Sequence, residues 1–485
     1  MGQGPYIDLN LNAWNTAGRP SAQALVDAVK QRLAANHLAA GCRMPPVRVL
    51  AHQLGLSKNT VQRAYDELVA QGLFENRERV GLFLASPPRT LTPRPRTQAA
   101  APALVDLPPL WTPRPSRPIS QQPVIGLSGA TIDAALLPTE QFDACLRAAL
   151  KDRKNELGNY PDPQGFYPLR KQIANRLNKR GIPARAEDIV TTLGSQQCLD
   201  IIFRVLDNRH IAVENPAYSI GRNLLETNGA QLTGLPLDPF RGLDLDDWER
   251  RIAQSRPGLL YLIPHFQNPT GYCYSESELD RVVDISRRYG CGLLEDDWGS
   301  DMLSYSEFRP ALRARGGTQV LYMNSFTKKL LPSMRLGYIV GDESTTPTLV
   351  RSKEISVLGT PLIIEAALFE YLDRGYYDVH LKRLNVELDR RYQNCLDLLR
   401  QLMPEGVKWT APGGGPTLWL EVPTQVDLDG VSDDLAEQGV MVRHMDSAFF
   451  GRRHLHGFRL CFAHPTAANL QRGLELLAAR IKEDL

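Results

Sequence analysis

A lysine just after an apolar strand, with hydroxyls beside it and an arginine seven residues on, can form a Schiff base next to a bound phosphate. The run Ser325-Phe326-Thr327-Lys328-Lys329-Leu330-Leu331-Pro332-Ser333-Met334-Arg335 has that form and follows the apolar stretch Val320–Asn324. Lys328 would be the amine. Ser325 and Arg335 would hold the phosphate, arginine through two parallel N–H bonds. Three further segments carry complementary chemistry, each after an apolar run. Cys291–Glu295 leads into Asp296 and Asp297, where a buried carboxylate would pair with a pyridinium nitrogen and keep it protonated. Asn268-Pro269-Thr270-Gly271 follows Gly258–Ile263, and the Asn268 amide can donate to a ring oxygen. Thr192-Leu193-Gly194-Ser195-Gln196-Gln197 closes Ile189–Thr192 and opens a helix, whose first amides and Ser195 hydroxyl make an anion site. A basic surface loop or an ordinary turn accounts for any one segment alone. Four of them, each at the end of an apolar run, point to one cofactor site.

A second group of residues suits a different task. Ser57, Lys58, Asn59, Thr60 and Arg63 open a helical pattern, where hydroxyls and lysine reach phosphates, asparagine reads adenine, and arginine reads guanine or phosphate. Arg48 on a preceding short helix, and Arg77 and Arg79 in a later hairpin, would add backbone contacts. A solvated helix start explains any single one of these residues equally well; the ordered combination is far more specific.

The elements that must position both groups are legible in the hydrophobic pattern. Ser21 caps a first helix with Leu25, Val29 and Leu33 on one face, fading near His37. Val47–Leu54 reads as a second helix and Gly55 as a turn. Ser57 caps a third helix with Val61, Tyr65 and Leu68 at helical spacing, ended by Gly72. Leu73–Glu75 and Gly81–Ala85 are two β pieces joined by residues 76–79. Three helices and a hairpin make a winged helix-turn-helix.

Eleven prolines then fall between Pro87 and Pro123, with Arg89, Arg94, Arg96, Arg114 and Arg117 among them. They exclude a core helix or a central strand and predict a semi-extended tether. Beyond it, His210–Val213 and Gly337–Val340 join the apolar runs above. They alternate with helical stretches such as Gln196–Leu206, Ser277–Tyr289 and Leu362–Tyr371, which predicts an α/β domain with a mostly parallel sheet. From about Val379 a long polar helix, the β runs Pro416–Val422 and Phe458–Ala463, and a closing helix Ala467–Ile481 describe a smaller α+β lobe. The expected division is 1–86, 87–123, 124–378 and 379–485.

Composition narrows the setting. The 485 residues carry 56 Lys+Arg and 54 Asp+Glu, for a net charge of +2. Residues 1–120 hold 14 basic against 7 acidic residues and the remainder 42 against 47, so a basic front precedes a mildly acidic body. That asymmetry suits an anionic partner for the front. No run of 18 apolar residues predicts a transmembrane helix, and the N-terminus lacks the form of a secretory signal. Seven cysteines without a C-x-x-C argue against a disulfide framework or zinc site and for a reducing cytosol. The nine histidines show no metal-ligand spacing, so no metal is expected.

The string from Met44-Pro45-Pro46-Val47-Arg48 through Ser57-Lys58-Asn59-Thr60-Val61-Gln62-Arg63-Ala64-Tyr65 to Gly72-Leu73 resembles the GntR-type winged helix, a family that reads DNA as a dimer, usually at paired half-sites. Residues from about 125 to 485 resemble a fold-type I aminotransferase, and the whole chain resembles a MocR-type transcriptional regulator. The resemblance implies pyridoxal 5'-phosphate as cofactor and Lys328 as the lysine that binds it covalently. It implies Asp296 as partner of the pyridine nitrogen, Asn268 as the residue bonding the phenolic oxygen, and Tyr218 as the aromatic stacked on the ring. Ser195, Gln196, Ser325 and Arg335 match the phosphate cup, Tyr160 the tyrosine lent across a domain-swapped homodimer, and Arg459 the arginine that grips an amino acid's carboxylate. Two positions depart from the family pattern. Trp298 stands where a tyrosine is usual, and Lys329 where a small or hydroxyl residue is usual. An indole donates but neither accepts nor ionises like a phenol.

The expected function is a cytoplasmic DNA-binding regulator that senses pyridoxal phosphate, an amino-acid or amine effector, or both. A working aminotransferase with an appended DNA-binding module is the alternative, and a regulator that has lost the cofactor is a third reading.

Overall fold

The computed structural model describes residues 21–35, 41–77, 80–85, 124–299, 309–451 and 453–485. The chain divides into two compact units, one ending at Pro109 and the other starting at Leu110. The Pro/Arg tether, Arg79 and the end of the first helix near His37 lie outside the described residues.

In the first unit, α1 (Ala22–Ala35), α2 (Val47–Leu54) and α3 (Lys58–Ala70) precede a hairpin of β1 (Phe74–Arg77) and β2 (Gly81–Leu84). Ser21 Oγ accepts from Ala24 N, and Ser57 Oγ from Thr60 N, as the caps require. Gly55 ends α2 at φ 64°, a left-handed conformation that turns the chain into α3. Leu25, Val29, Val61, Leu68 and Phe74 form the core. The buried Tyr65 hydroxyl donates to Pro45 O at 2.7 Å and ties α3 to the residues just before α2. The hairpin runs two residues further than its apolar pattern, because Arg77 pairs with Gly81 and lays its guanidinium over the Phe83 ring at 4.5 Å.

The second unit contains β3 (Ile125–Gly126), β4 (Ile189–Thr192), β5 (His210–Asn215), β6 (Gln231–Asp238), β7 (Gly242–Leu243), β8 (Leu259–Leu262), β9 (Gly292–Asp296), β10 (Val320–Ser325) and β11 (Gly337–Val340). Eight of these form one sheet in the order β4-β11-β10-β9-β8-β5-β6-β7. The run β10-β9-β8-β5-β6 is parallel, and β11 lies antiparallel between β10 and β4. β6 escapes the apolar pattern: Gln231, Thr233, Gly234 and Pro236 interrupt it, and its faces are only partly covered.

This topology brings the site to one edge. The carboxyl ends of β4, β5, β8, β9 and β10 meet there, which is where open α/β sheets bind ligands. Because β11 runs the other way, its start lies at the same edge and delivers Arg335. Gly337 pairs with both Ser325 and Thr192. A Cβ on Gly337 would stand 2.8 Å from Asn324 O and 2.9 Å from Gly194 Cα, so backbone crowds it on both sides.

The helix Tyr376–Leu402, the strands β12 (Lys408–Trp409), β13 (Thr417–Glu421) and β15 (Gly457–Cys461), and the closing helix Ala467–Glu483 make the smaller lobe. A short strand between them, β14 (Val440–Met441), pairs with β3. Among the described residues no helix is long and apolar enough to cross a membrane, and no cluster of His, Cys, Asp and Glu has the form of a metal site.

Gly337→Ala is expected to cost about 1–3 kcal/mol through overpacking, because the obstructing atoms belong to backbone. Urea denaturation of the full chain measures it.

Candidate functional site

A cavity of about 310 Å³ opens at the carboxyl edge of the sheet. It gathers nine residues expected from the sequence: Ser195, Gln196, Tyr218, Asn268, Asp296, Ser325, Lys328, Arg335 and Arg459. They come from six separate stretches of chain, and only the tertiary fold makes them neighbours. Tyr160 does not join them. It stands 84% exposed and outside the cavity of its own chain.

One end of the cavity is built for an anion. Gly194 caps the helix Ser195–Arg204 at φ 91°, and a Cβ there would stand 2.9 Å from an Arg335 guanidinium nitrogen. Only glycine meets both demands. Arg335 itself has a left-handed backbone, φ 50°, and its Nη2 donates to Leu193 O at 3.0 Å. Ser325 Oγ donates to Thr327 Oγ1 at 2.8 Å and accepts from Thr327 N. The helix dipole, two hydroxyls and a guanidinium therefore converge. Thr327 was legible inside the Ser325–Arg335 run, but only its place in the cavity shows it as a member of the cup.

The other end presents a carboxylate, an amine and an aromatic ring. Asp296 is buried; its Oδ2 accepts from Tyr261 OH at 3.0 Å, and its Oδ1 is buried with no partner. Burial, with the charges of Asp297 and Glu214 adding to it, pushes the Asp296 carboxyl up to about 7. Burial lowers the Lys328 pKa, and the guanidiniums of Arg459 and Arg335 act in the same direction. Burial and the Asp296 charge raise the Tyr218 phenol. Trp298 also lines the cavity, and its indole N–H is spent on Phe266 O at 3.2 Å.

Arg459 reaches in from β15 of the smaller lobe. Its Nη1 donates to Asn268 Oδ1 at 2.8 Å, and its Nε and Nη2 donate to Ser128 O. This leaves the Asn268 amide nitrogen as the donor that the site requires.

Sequence reasoning missed the support beneath Tyr218 and Asn268. Gln267 is fully buried and holds both segments. Its Oε1 accepts from Thr270 N and Oγ1, while its Nε2 donates to Pro216 O at 2.8 Å and to Glu214 Oε2 at 3.2 Å. Glu214 Oε1 accepts from Tyr274 OH at 2.6 Å and from Ile263 N at 3.0 Å. A glutamine just before an N-P-T-G turn carries no signal of this, since Pro216 and Glu214 lie some 50 residues away in the chain.

The candidate DNA-contacting residues divide. Arg48, Lys58, Asn59 and Arg63 are exposed on α2 and at the start of α3. Ser57 and Thr60 bond each other, Oγ to Oγ1 at 2.8 Å, so their hydroxyls already serve the cap. Arg77 is held by Glu75 at 2.5 Å and by the Phe83 ring.

A fold-type I aminotransferase-like domain behind a winged helix is the class of protein that this fold and cavity define. Aminotransferase class I and II matches residues 133–477, and the gntR family of bacterial regulatory proteins matches residues 21–84. The chain belongs to the aminotransferase class I and II family and carries a GntR-family domain at its front. It is 27% identical over 465 residues to the probable rhizopine catabolism regulatory protein MocR of Rhizobium meliloti, covering 94% of this chain and 93% of that one. It is 28% identical over 371 residues to aromatic-amino-acid aminotransferase 1 of Thermococcus litoralis, covering 75% and 89%. Its fold matches the solved multiple substrate aminotransferase of Thermococcus profundus with a TM-score of 0.71, at 26% identity over 76% of this chain and 93% of that one. It also matches the α-aminoadipate aminotransferase LysN of Thermus thermophilus, solved with N-(5'-phosphopyridoxyl)-L-leucine, with a TM-score of 0.69, 26% identity and coverages of 74% and 92%.

The family implies pyridoxal 5'-phosphate, and the residues present fit it. The orphaned Asp296 Oδ1 suits a protonated ring nitrogen, and the Gly194 cradle suits a phosphate.

Without cofactor, the raised Asp296 pKa makes a stabilising contribution that is present at low pH and lost as pH rises from about 4 to about 7. Glu214, pushed up to about 7, behaves likewise, while buried His265, pushed down to about 4, slopes the opposite way below pH 6.5. The difference between two chains isolates Asp296. Asp296→Asn is expected to gain stability on wild type steadily between pH 5 and pH 7.5, by a few degrees in melting temperature. Thermal melts of both cofactor-free proteins across that range measure the gain.

Proposed function

We propose that this protein is a DNA-binding transcriptional regulator whose aminotransferase-like domain senses pyridoxal 5'-phosphate, an amino-acid effector, or both. The observation that carries the reading is one cavity with an amine, a carboxylate and an anion cradle in a chain that opens with a GntR winged helix. Likeness to a MocR regulator over 94% of the chain supports the regulatory use of that cavity. The working division is a head at 1–86, a tether at 87–123, a large cofactor domain at 124–378 and a small lobe at 379–485.

When bound, pyridoxal phosphate supplies a carbonyl carbon that an amine can attack and a ring that withdraws electrons from it. Lys328 supplies the resident amine, and its lowered pKa raises the fraction that is neutral and nucleophilic. Asp296 holds the proton on the ring nitrogen. Tyr218 covers the ring face, and Asn268 donates to the phenolic oxygen. Ser195, Gln196, Ser325 and Arg335 hold the phosphate. An incoming amino acid places its carboxylate on Arg459, which the small lobe carries, so effector binding bears directly on lobe position. Exposed Tyr160 serves the second subunit of a domain-swapped homodimer, whose two heads bind paired half-sites on double-stranded DNA in the cytoplasm. At the DNA, Arg48, Lys58, Asn59 and Arg63 carry the contacts. Ser57 and Thr60 add them through the cap, and Arg77 and Arg79 through the wing.

Reconstitution with pyridoxal phosphate is expected to give a visible absorbance band that Lys328→Ala abolishes; an unchanged band refutes the cofactor reading. Candidate amines titrated against that band identify the effector class. Steady release of keto acid from an amino donor would make the chain a working enzyme instead. For the head, Lys58→Ala is expected to weaken binding to all DNA sequences and lower the salt slope by about 1. Titrations at several salt concentrations read that slope.

A further inference from the structure

Lys353, on the helix Thr346–Val357, is fully buried, and the site described above makes no use of it. A lysine is rarely enclosed so completely unless polar groups answer it. Its Nζ donates to Thr360 Oγ1 at 2.8 Å and to Thr191 Oγ1 at 3.1 Å, and the two hydroxyls lie 2.8 Å apart. Thr360 Oγ1 donates to Glu365 Oε1 at 2.7 Å, and Glu365 is fully buried as well. Glu365 Oε2 accepts from Phe166 N at 2.9 Å. Thr191 N and Oγ1 donate to Gln164 O at 3.0 and 3.3 Å. The network therefore grips the chain on both sides of Gly165, through the carbonyl of Gln164 and the amide of Phe166. Gly165 passes so close that a Cβ there would stand 2.0 Å from Thr191 Oγ1.

The turn that carries Tyr160 stands on this base. Asp162 shapes it, since its Oδ1 accepts from Gln164 N at 2.8 Å and its carbonyl from Gly165 N at 2.9 Å. Pro161, next to Tyr160, rests on Gly359, where a Cβ would stand 2.7 Å from Pro161 Cγ. Gly359 directly precedes Thr360, so one short segment supports the turn from the side and supplies a hydroxyl to its base. Leu358, one residue earlier, is exposed and held at φ 62°, a left-handed conformation that is costly for leucine. Exposed Tyr160 and exposed Leu358 thus flank a close contact built on buried polar groups. Lys353, Thr191, Thr360 and Glu365 all stay outside the lining of their own chain's cavity.

We infer that Lys353 is a positioning residue for the second subunit's cofactor: through Thr191, Thr360 and Glu365 it fixes the base of the turn that presents Tyr160. This rests on the cofactor and domain-swapped dimer readings above. A tyrosine lent to another chain's phosphate adds affinity only where its backbone is already in place, because a loose turn loses its freedom anew at each binding event. The network also touches the strand that leads into its own chain's phosphate cup, since Thr191 adjoins Thr192 at the end of β4. The two routes predict different behaviour in a dimer of unlike chains.

The test uses full-length chains titrated with pyridoxal phosphate, with binding read from the Lys328-dependent absorbance band. Lys353→Met in both chains is expected to weaken binding about tenfold. Differently tagged chains, co-expressed and purified as mixed dimers, then locate the effect. A Lys353→Met chain paired with a Lys328→Ala chain gives a band only from the first chain's lysine, beside a normal Tyr160 turn from the second. Wild-type affinity is expected there. Placing both substitutions in one chain, paired with a wild-type chain, is expected to leave the remaining site about tenfold weak. Should Lys353→Met not fold, Lys353→Met with Glu365→Gln, which leaves no unanswered buried charge, takes its place with the same expectations. Wild-type affinity in the doubly substituted homodimer or the Lys353→Met homodimer overturns the inference, as does weakness that follows the Lys328-bearing chain's own Lys353. Failure of both versions to fold assigns the network to core stability and overturns it too. A cofactor-binding wild type that is monomeric removes the swapped-dimer reading, and absence of any band in wild type removes the cofactor reading; this inference falls with either.

Discussion

Three consecutive carboxylates at the end of β9 must all be buried, and much of the large domain is arranged to answer them. Glu295 accepts from Leu312 N and Arg313 N, both at 2.8 Å, and so anchors the short helix Leu312–Gly316. Asp297 takes the Tyr322 hydroxyl and faces Arg180, which ties β9 to β10 and to the end of the helix Tyr167–Lys179. Side chains alternate along a strand, so Glu295 and Asp297 point away from Asp296. Asp296 is then the member of the trio left at the cavity, with one oxygen on Tyr261 and one without a partner. An unanswered buried carboxylate oxygen costs stability unless a ligand meets it. That cost is what makes the position suited to a cationic ring nitrogen.

The cavity is also where the two lobes are tied together. Arg459 crosses from the small lobe to Asn268 and Ser128. On the far side of Tyr218, Ala217 N donates to Ala448 O at 2.8 Å and Phe450 N to Asn215 Oδ1 at 3.0 Å. The Arg222 guanidinium lies over the Phe450 ring at 4.2 Å. Both residues that flank the cavity near its ring end are therefore bonded, directly or through a neighbour, to the small lobe. Gln267 and Glu214 hold the same segments to the large domain from below.

Much of this was legible in the sequence, and the omissions have physical causes. Lys328, Asp296, Asn268, Ser195 and Arg335 were found because each ends or follows an apolar run, a local signal. Gln267, Glu214 and Tyr274 were not, because their partners are remote in sequence and their types are ordinary in loops and strands. β6 was missed because glycine, proline and polar residues near the edge of a sheet break the alternation that marks a strand. At Ser57 and Thr60 the sequence does not separate a helix cap from a phosphate contact, because both call on the same hydroxyls.

The sequence by itself determined the two modules, the run of prolines between them, most strand and helix positions and the chemical types available to the site. Those follow from local periodicity, caps and turn residues, which act within a few positions of the chain. Only the tertiary structure decided which groups meet. Strand order and the antiparallel insertion of β11 place Arg335 and Gly194 in contact, and the small lobe brings Arg459 to Asn268. It also decided between two adjacent lysines of identical chemistry. Lys328 lines the cavity, while the Lys329 side chain is buried with its Nζ on Asn324 Oδ1.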